Sequence, residues 1–211
     1  MDLTFRPVDA DQHYYEKIDS CTRHLDPRFK DRGVQIVEQG THKLLLAGGR
    51  LFRFIPNPTF NPVIVPGCLD PMDKLVISDR AIHDTIGNLV VHGVFTRHPK
   101  LRVASIENGS DWVHTLVKRL RKQANQTPWW FEEDPVEAIR THVWITPYYE
   151  EDMRKLADTL GTERVLFGSD WPHGEGLAEP TDFVKELHAF SDAEIEQVMR
   201  TNALDYLGER S

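Results

Sequence analysis

The chain holds only two cysteines, Cys21 and Cys68, among 211 residues. Their spacing suits neither a metal clip nor a redox pair, so both read as free thiols in a reducing cytoplasm. No stretch approaches the ~18 consecutive apolar residues that a membrane-spanning helix needs. The polar opening MDLTFRPVDADQH lacks the apolar core of a signal peptide, so none is expected. Positive charge is also scarce: 25 Lys and Arg stand against 33 Asp and Glu, for a formal net charge of −8. Phosphate backbones require clustered cations, so this balance argues against nucleic acid as a partner. The single basic cluster, KRLRKQ at 118–123, falls on an expected helix and reads as a solvated face. Neither a G-x-G-x-x-G turn, a phosphate loop nor a G-x-S-x-G elbow is present, and dinucleotide, nucleotide and serine-hydrolase chemistries lose support.

What is present is an alternation of strand and helix from about residue 73 onward. Ser78 can cap a helix running to about His98, with Ile82, Ile86, Leu89, Val90, Gly93 and Val94 on one face. Pro99 ends it, and LRVASI (101–106) follows as a short strand. A second helix carries the stripe Trp112, Val113, Leu116, Val117 and Leu120. Asp134 and Pro135 open a short third helix to about His142, by N-cap and first-turn preference. VWIT (143–146) is a strand, a helix over about 151–160 stops at Gly161, and the apolar stretch at 164–168 is another strand. Helices over about 181–190 and 192–207 complete the chain, and Ser191 with Glu194 forms a capping box for the last. Such alternation implies a parallel sheet with helices packed on it. The first 72 residues differ. FRPVDAD (5–11) reads as one strand, VQIVEQG and THKLLLAGG as a hairpin about Gly40-Thr41, and the proline-rich stretch 53–71 as irregular loop. The domain reading is therefore 1–72 (strand, hairpin and loop) and 73–211 (β/α units), within one structural domain.

Three stretches carry candidate chemistry. In RVLFGSDWPHGEG (164–176) an apolar strand ends in Asp170, Trp171, Pro172 and His173. Functional groups of α/β sheets and barrels cluster at strand C-termini, so Asp170 can ligate a metal or move a proton, and His173 can touch substrate. In VDADQHYYE (8–16), Asp9, Asp11 and His13 alternate and would share one face of an extended strand. Two carboxylates and an imidazole suit a divalent metal such as Zn²⁺ or Mn²⁺. In IENGSDWV (106–113), Glu107 closes its strand as Asp170 closes the other, and reads equally as an acid, a base, a metal neighbour or a paired strand-end carboxylate. Asp111 or Ser110 can start the helix after it. His83, His92 and His98 read as structural, and Trp129 and Trp130 as packing or pocket-rim residues.

Together these stretches resemble the amidohydrolase-related family, which includes metal-dependent hydrolases and enzymes like aminocarboxymuconate-semialdehyde decarboxylase. Gly168-Ser169-Asp170-Trp171-Pro172-His173 matches the family's last-strand motif, whose Asp is a metal ligand. The strand-one motif, Asp-x-His-x-His, falls on Asp9, Asp11 and His13, with Asp11 in place of the first histidine. GVFTRHPKLRVASIENG (93–109) and TNALDYLG (201–208) also follow family patterns, and Glu107 stands where many members have a catalytic histidine. The resemblance implies a (β/α)₈ barrel, yet only four strands are legible, equivalent to strands one, six, seven and eight. The interval between about Pro66 and Asp73 has no room for strands two to five. The expectation is an incomplete TIM-type barrel of about four parallel strands, whose uncovered inner face and edges favour a homo-oligomer. By this resemblance Asp11, His13 and Asp170 would hold a divalent Zn or Mn, with Glu107 as fourth ligand or acid/base. Two functions stay open: a metal-dependent hydrolase, or alternatively carboxy-lyase, of a small organic molecule, or a shortened homologue that turns nothing over.

Overall fold

A computed structural model describes residues 3–12, 19, 21–40, 42–51 and 80–209. His13, Cys68, Ser78 and the expected proline-rich loop lie outside the described residues. The chain divides into two compact units, 13–65 and 1–12 together with 66–211. In the smaller unit a 3₁₀ turn (Pro27–Arg32) precedes β1 (Val34–Gln39) and β2 (His42–Ala47). These strands pair antiparallel in the expected hairpin, with Gln39 opposite His42 and Gly40 at φ 64°. A short third strand, β3 (Arg50–Leu51), extends the sheet, which the sequence pattern does not signal. Cys21 is an exposed free thiol.

The larger unit follows the helix and strand order read from the sequence, with informative departures. The expected long first helix is broken. It runs as α1 (Arg80–Val91) and α2 (Val94–Arg97), because Gly93 adopts a left-handed conformation at φ 62°. Glycine's freedom at that angle outweighs its place on the apolar face. β4 (Val103–Ser105) leads to α3 (Asp111–Gln126), and α4 (Pro135–His142) leads directly into β5 (Val143–Ile145). The Asp134 carboxylate accepts from the N–H groups of Val136 and Glu137, as its cap position predicts. α5 (Met153–Leu160) is capped by Asp152 and ends at Gly161. The expected helix at 181–190 is instead a 3₁₀ helix over Pro180–Leu187. The C-terminal helix is continuous but mixed: α6 (Asp192–Glu196), a π turn (Gln197–Thr201) and α7 (Asn202–Leu207).

β4 and β5 pair in parallel, Val103 opposite Val143 and Ser105 opposite Ile145. Two further stretches continue the order. Ile145 bridges Val165 in parallel, and the Leu166 N–H donates to the Ile145 carbonyl at 2.8 Å. On the far side of 165–171, the Ala10 N–H donates to the Phe167 carbonyl (2.9 Å), the Asp170 N–H to the Asp11 carbonyl (2.8 Å), and Gln12 bridges Trp171. Residues 5–11 and 164–168 are both expected as full strands; both are extended stretches that pair only at isolated positions. The reason lies in the π turn, where the helical ladder shifts and carbonyls turn outward. The Val198 carbonyl accepts the Phe167 N–H and the Met199 carbonyl accepts the Val8 N–H, so these donors are not available to a continuous strand ladder.

Side chains alternate across these four stretches as extended backbone requires. Val143, Ile145, Val165 and Phe167 enter the main core with Trp112, Leu116 and Phe183 from the helical layer. Trp144, Leu166, Val8, Ala10 and Ile106 form a second cluster with Ala203 and Tyr206 of α7. Successive residues Val165, Leu166 and Phe167 are 0%, 1% and 1% exposed, so both faces of that stretch are covered. This is why it reads as an unbroken apolar run. Asn202, fully buried, ties the C-terminal helix to the same stretch by donating to the carbonyls of Thr162 (2.8 Å) and Val165 (2.7 Å).

Gly168 allows the N-terminal stretch to lie this close, since a Cβ there would stand 2.6 Å from the Asp11 Cβ and 3.1 Å from Thr146. Gly168→Ala is expected to destabilise the protein by about 1–3 kcal/mol, lowering the melting temperature by roughly 2–4 °C per kcal/mol; calorimetry of the variant checks this. The capping box supplies a pH-dependent contribution. Glu194 accepts from the Ser191 N–H and hydroxyl and pairs with Arg154 at 2.9 Å, which holds its carboxyl down to about 2 from an ordinary 4.5. A lowered carboxyl pKa favours the fold above the unfolded value, and the gain is lost as pH falls through the folded value. Stability should therefore decline between about pH 4.5 and 2, and Glu194→Gln should flatten that part of a urea-midpoint profile.

Candidate functional site

The site forms where β4 and the 165–169 stretch end. Glu107 and Asp170 each follow such an end, and both adopt left-handed backbone, at φ 58° and 54°. This region is uncommon for a residue with a full side chain, and it turns the chain sharply so that both carboxylates face the rim. His173 stands in the loop after Asp170, with its Nδ1 at 2.8 Å from Asp170 Oδ1 and 3.8 Å from Glu107 Oε1. The ligand atoms of Glu107, Asp170 and His173 all lie within 4.8 Å of one another, the spacing of a metal-binding cluster. The side chains of Asp170 and His173 are 22% and 29% exposed and that of Glu107 47%, so the cluster is reachable from solvent.

The loop carrying His173 is fixed by its own backbone. The His173 N–H donates to the Asp170 carbonyl (2.9 Å) and the Leu177 N–H returns to the Ser169 carbonyl (2.9 Å). Gly176 packs on the Asp170 carbonyl, where a Cβ would come within 2.4 Å. On the N-terminal stretch, Asp9 and Asp11 differ in role. The Asp9 carboxylate accepts from the Asp11 N–H (3.0 Å), the Ser169 N–H (3.1 Å) and, in a short hydrogen bond, the Ser169 hydroxyl. It is thereby committed to joining the two stretches. Asp11 is 8% exposed and lies against Gly168, its carbonyl held by the Asp170 N–H. Of the sequence-predicted site residues, the structure thus brings Glu107, Asp170 and His173 into one cluster and sets the Asp11 backbone beside Asp170. His13 lies outside the described residues.

Two residues that the sequence pattern does not single out complete the surroundings. The Tyr148 hydroxyl donates to the Glu107 carbonyl at 3.0 Å. Burial, followed by the nearby carboxylates of Glu151, Glu107, Asp170 and Asp11, pushes this phenol up to about 12, so it remains a neutral donor. The Glu151 carboxylate accepts from the Ser110 N–H and hydroxyl (2.8 Å each), the Asp111 N–H (3.2 Å) and the Tyr148 N–H (2.9 Å). It therefore caps α3 from a different loop, and the N-cap residue Ser110 makes no capping hydrogen bond with its own side chain. The signal for Tyr148 was its position just after β5, at the same strand-end rim as Glu107 and Asp170. Nothing in the sequence pattern marked Glu151 as a cap for α3, because Ser110 and Asp111 lie after β4. Trp129 and Trp130 are 79% and 63% exposed and line a cleft of about 380 Å³ with His92, which shares no residue with this cluster.

Chemically, two carboxylates and an imidazole at this spacing can hold a divalent cation. The same groups can also pass a proton, since His173 is within hydrogen-bonding distance of Asp170. No described helix is long and apolar enough to cross a membrane.

A family model described as amidohydrolase matches residues 23–208. A solved amidohydrolase, map2389c from Mycobacterium avium subsp. paratuberculosis K-10, aligns over 99% of both chains with a TM-score of 0.86 and 31% identity. Among curated proteins, the 2-amino-3-carboxymuconate-6-semialdehyde decarboxylase of Dictyostelium discoideum is 26% identical over 130 residues, covering 58% of this chain and 35% of that protein. The match thus spans about a third of that curated relative. A 5-carboxyvanillate decarboxylase from Novosphingobium aromaticivorans, solved with manganese and 4-hydroxy-3-methoxy-5-nitrobenzoic acid, is 14% identical with a TM-score of 0.50, over 66% of this chain and 44% of that one. That likeness is one of fold, of the TIM-barrel type. The family match over most of the chain, joined to a full-length structural counterpart above 30% identity, establishes that the chain belongs to the amidohydrolase family.

Proposed function

We propose that the chain is a divalent-metal-dependent hydrolase acting on a small organic molecule, with its metal held by Glu107, Asp170 and His173 and with Asp11 beside them. The observation that carries this reading is the 4.8 Å cluster itself, in which Glu107 after one strand meets Asp170 and His173 after another that is distant in the chain. The donor set fits the ion: hard carboxylate oxygens and one imidazole suit Mn²⁺ or Zn²⁺. A bound ion of this kind supplies Lewis-acid polarisation and a bound water ionising near neutral pH. The chain's own residues then divide the remaining work. Asp170 Oδ1, 2.8 Å from His173 Nδ1, fixes the orientation of that ring. Glu107, the more exposed of the carboxylates, is placed to accept or return a proton at the open side of the cluster. A carboxy-lyase reaction is the second reading, favoured by the match to the Dictyostelium decarboxylase and in keeping with the manganese of the Novosphingobium enzyme. We read the architecture as a barrel of the family type reduced to four stretches in the order β4, β5, 165–171, 8–12, supported by their successive hydrogen bonds.

Titration of the purified chain with Mn²⁺, followed by electron paramagnetic resonance, should give about one bound ion per chain, weakened at least about tenfold in Asp170→Ala. A folded wild type that binds no ion favours the non-catalytic homologue. A variant that binds like the wild type removes Asp170 from the site. Release of carbon dioxide from aromatic or muconate-like acids, set against hydrolysis of esters and amides, separates the two reactions.

The left-handed backbone at Glu107 gives a further expectation. Strain of this type costs of order 1 kcal/mol or more for a side-chain-bearing residue, and glycine removes it. Glu107→Gly should raise the melting temperature by roughly 2–4 °C while weakening Mn²⁺ binding. Thermal unfolding and ion titration of the same preparation check both.

A further inference from the structure

Within the metal-site reading, we propose that Tyr148 is a positioning residue for Glu107: its hydroxyl holds the left-handed turn after β4 and so sets where the Glu107 carboxylate stands. The turn is not one that Glu107 would adopt unaided, because φ 58° crowds its Cβ against its own carbonyl. Such a turn needs contacts that hold it, and the Tyr148 hydroxyl, 3.0 Å from the Glu107 carbonyl, supplies one.

Tyr148 is itself fixed from two directions. Its ring lies against Gly109, where an added Cβ would stand 2.9 Å from ring carbons, and Gly109 adopts φ 58°. Its N–H donates to the Glu151 carboxylate, which also receives the Ser110 N–H and hydroxyl. The links form a closed circuit from Glu107 through Tyr148 and Glu151 to Ser110 and back along the chain. That circuit joins the loop after β4 to the loop after β5, across adjacent parallel strands. A phenylalanine would fill the same space on Gly109 but would leave the Glu107 carbonyl without this donor. The tyrosine hydroxyl is therefore assigned to the cluster and its ring to packing. The side chain it positions is the one that brings Glu107 Oε1 to 3.8 Å from His173 Nδ1.

The test uses the full chain and two variants. Tyr148→Phe keeps the ring and removes the donor; Gly109→Ala keeps the hydroxyl and displaces the ring together with the Glu151 carboxylate, which an added Cβ would meet at 2.7 Å. Each is read by amide hydrogen exchange at Asn108 and at position 109, by the His173 ring signals in NMR, by Mn²⁺ affinity and by melting temperature. The expected result for Tyr148→Phe is exchange about tenfold faster at Asn108 and Gly109, shifted His173 ring signals, Mn²⁺ binding about tenfold weaker, and a melting temperature within a few degrees of wild type. Gly109→Ala should reproduce the weaker binding. Unchanged exchange in Tyr148→Phe, or Mn²⁺ affinity within twofold of wild type, overturns the proposal. If wild type binds no Mn²⁺, the metal-site reading fails on its own. The positioning role is then decided by exchange and ring signals alone, which support it if they change and overturn it if they do not.

Discussion

The larger unit depends on the attachment of its N-terminal stretch to residues 165–171. Backbone donors run in both directions between them, Ala10 to Phe167 and Asp170 to Asp11. The Asp9 carboxylate seals the join by accepting from both the N–H and the hydroxyl of Ser169. The contact is possible because Gly168 leaves no Cβ in the path of Asp11. A charged group beside a buried backbone is stable only when its lone pairs are satisfied, and the three donors gathered on Asp9 meet that condition. The attachment lies immediately before Asp170, so the same contacts that close the fold also fix the base of the candidate site.

The site is then shaped by two residues in unfavourable backbone conformations. Glu107 and Asp170 each turn through positive φ where a strand ends. Strain of this kind persists only where surrounding contacts over-determine it, and here those contacts are identifiable. Asp170 is held by Asp11, Ser169 and the returning loop to Leu177. Glu107 is held by Tyr148, and Tyr148 by Gly109 and Glu151. Two carboxylates brought together in this way repel each other, and the His173 imidazole stands next to both. A cation in the same place would offset the repulsion further, which is the physical reason the cluster reads as a metal site.

Membership of the amidohydrolase family accords with a site at strand C-termini, where members of TIM-type folds place their chemistry. Among the described residues, the cluster of metal-ligand spacing takes Glu107 and His173 with Asp170. Of the strand-one pattern, Asp11 lies next to Asp170 and His13 lies outside the described residues. Asp9, first in that pattern, joins two stretches of backbone.

The sequence by itself determined the features whose cause is local. The Asp134-Pro135 helix start, the Ser191–Glu194 capping box, the hairpin about Gly40 and the buried stripe of α3 were all legible because their partners lie within a few residues. Asp170, Glu107 and His173 were legible as candidates because strand ends can be read from apolar runs. Tertiary structure alone decided the rest. The break at Gly93 came from a competition between apolar spacing and backbone freedom that spacing cannot resolve. The incomplete strand pairing at 5–11 and 164–168 came from N–H groups drawn away to the π turn over Gln197–Thr201, which lies against both stretches. The capping of α3 by Glu151 and the hold of Tyr148 on Glu107 cross between loops of neighbouring strands. Such contacts follow from which chain segments meet in space, and one-dimensional order carries no direct measure of that.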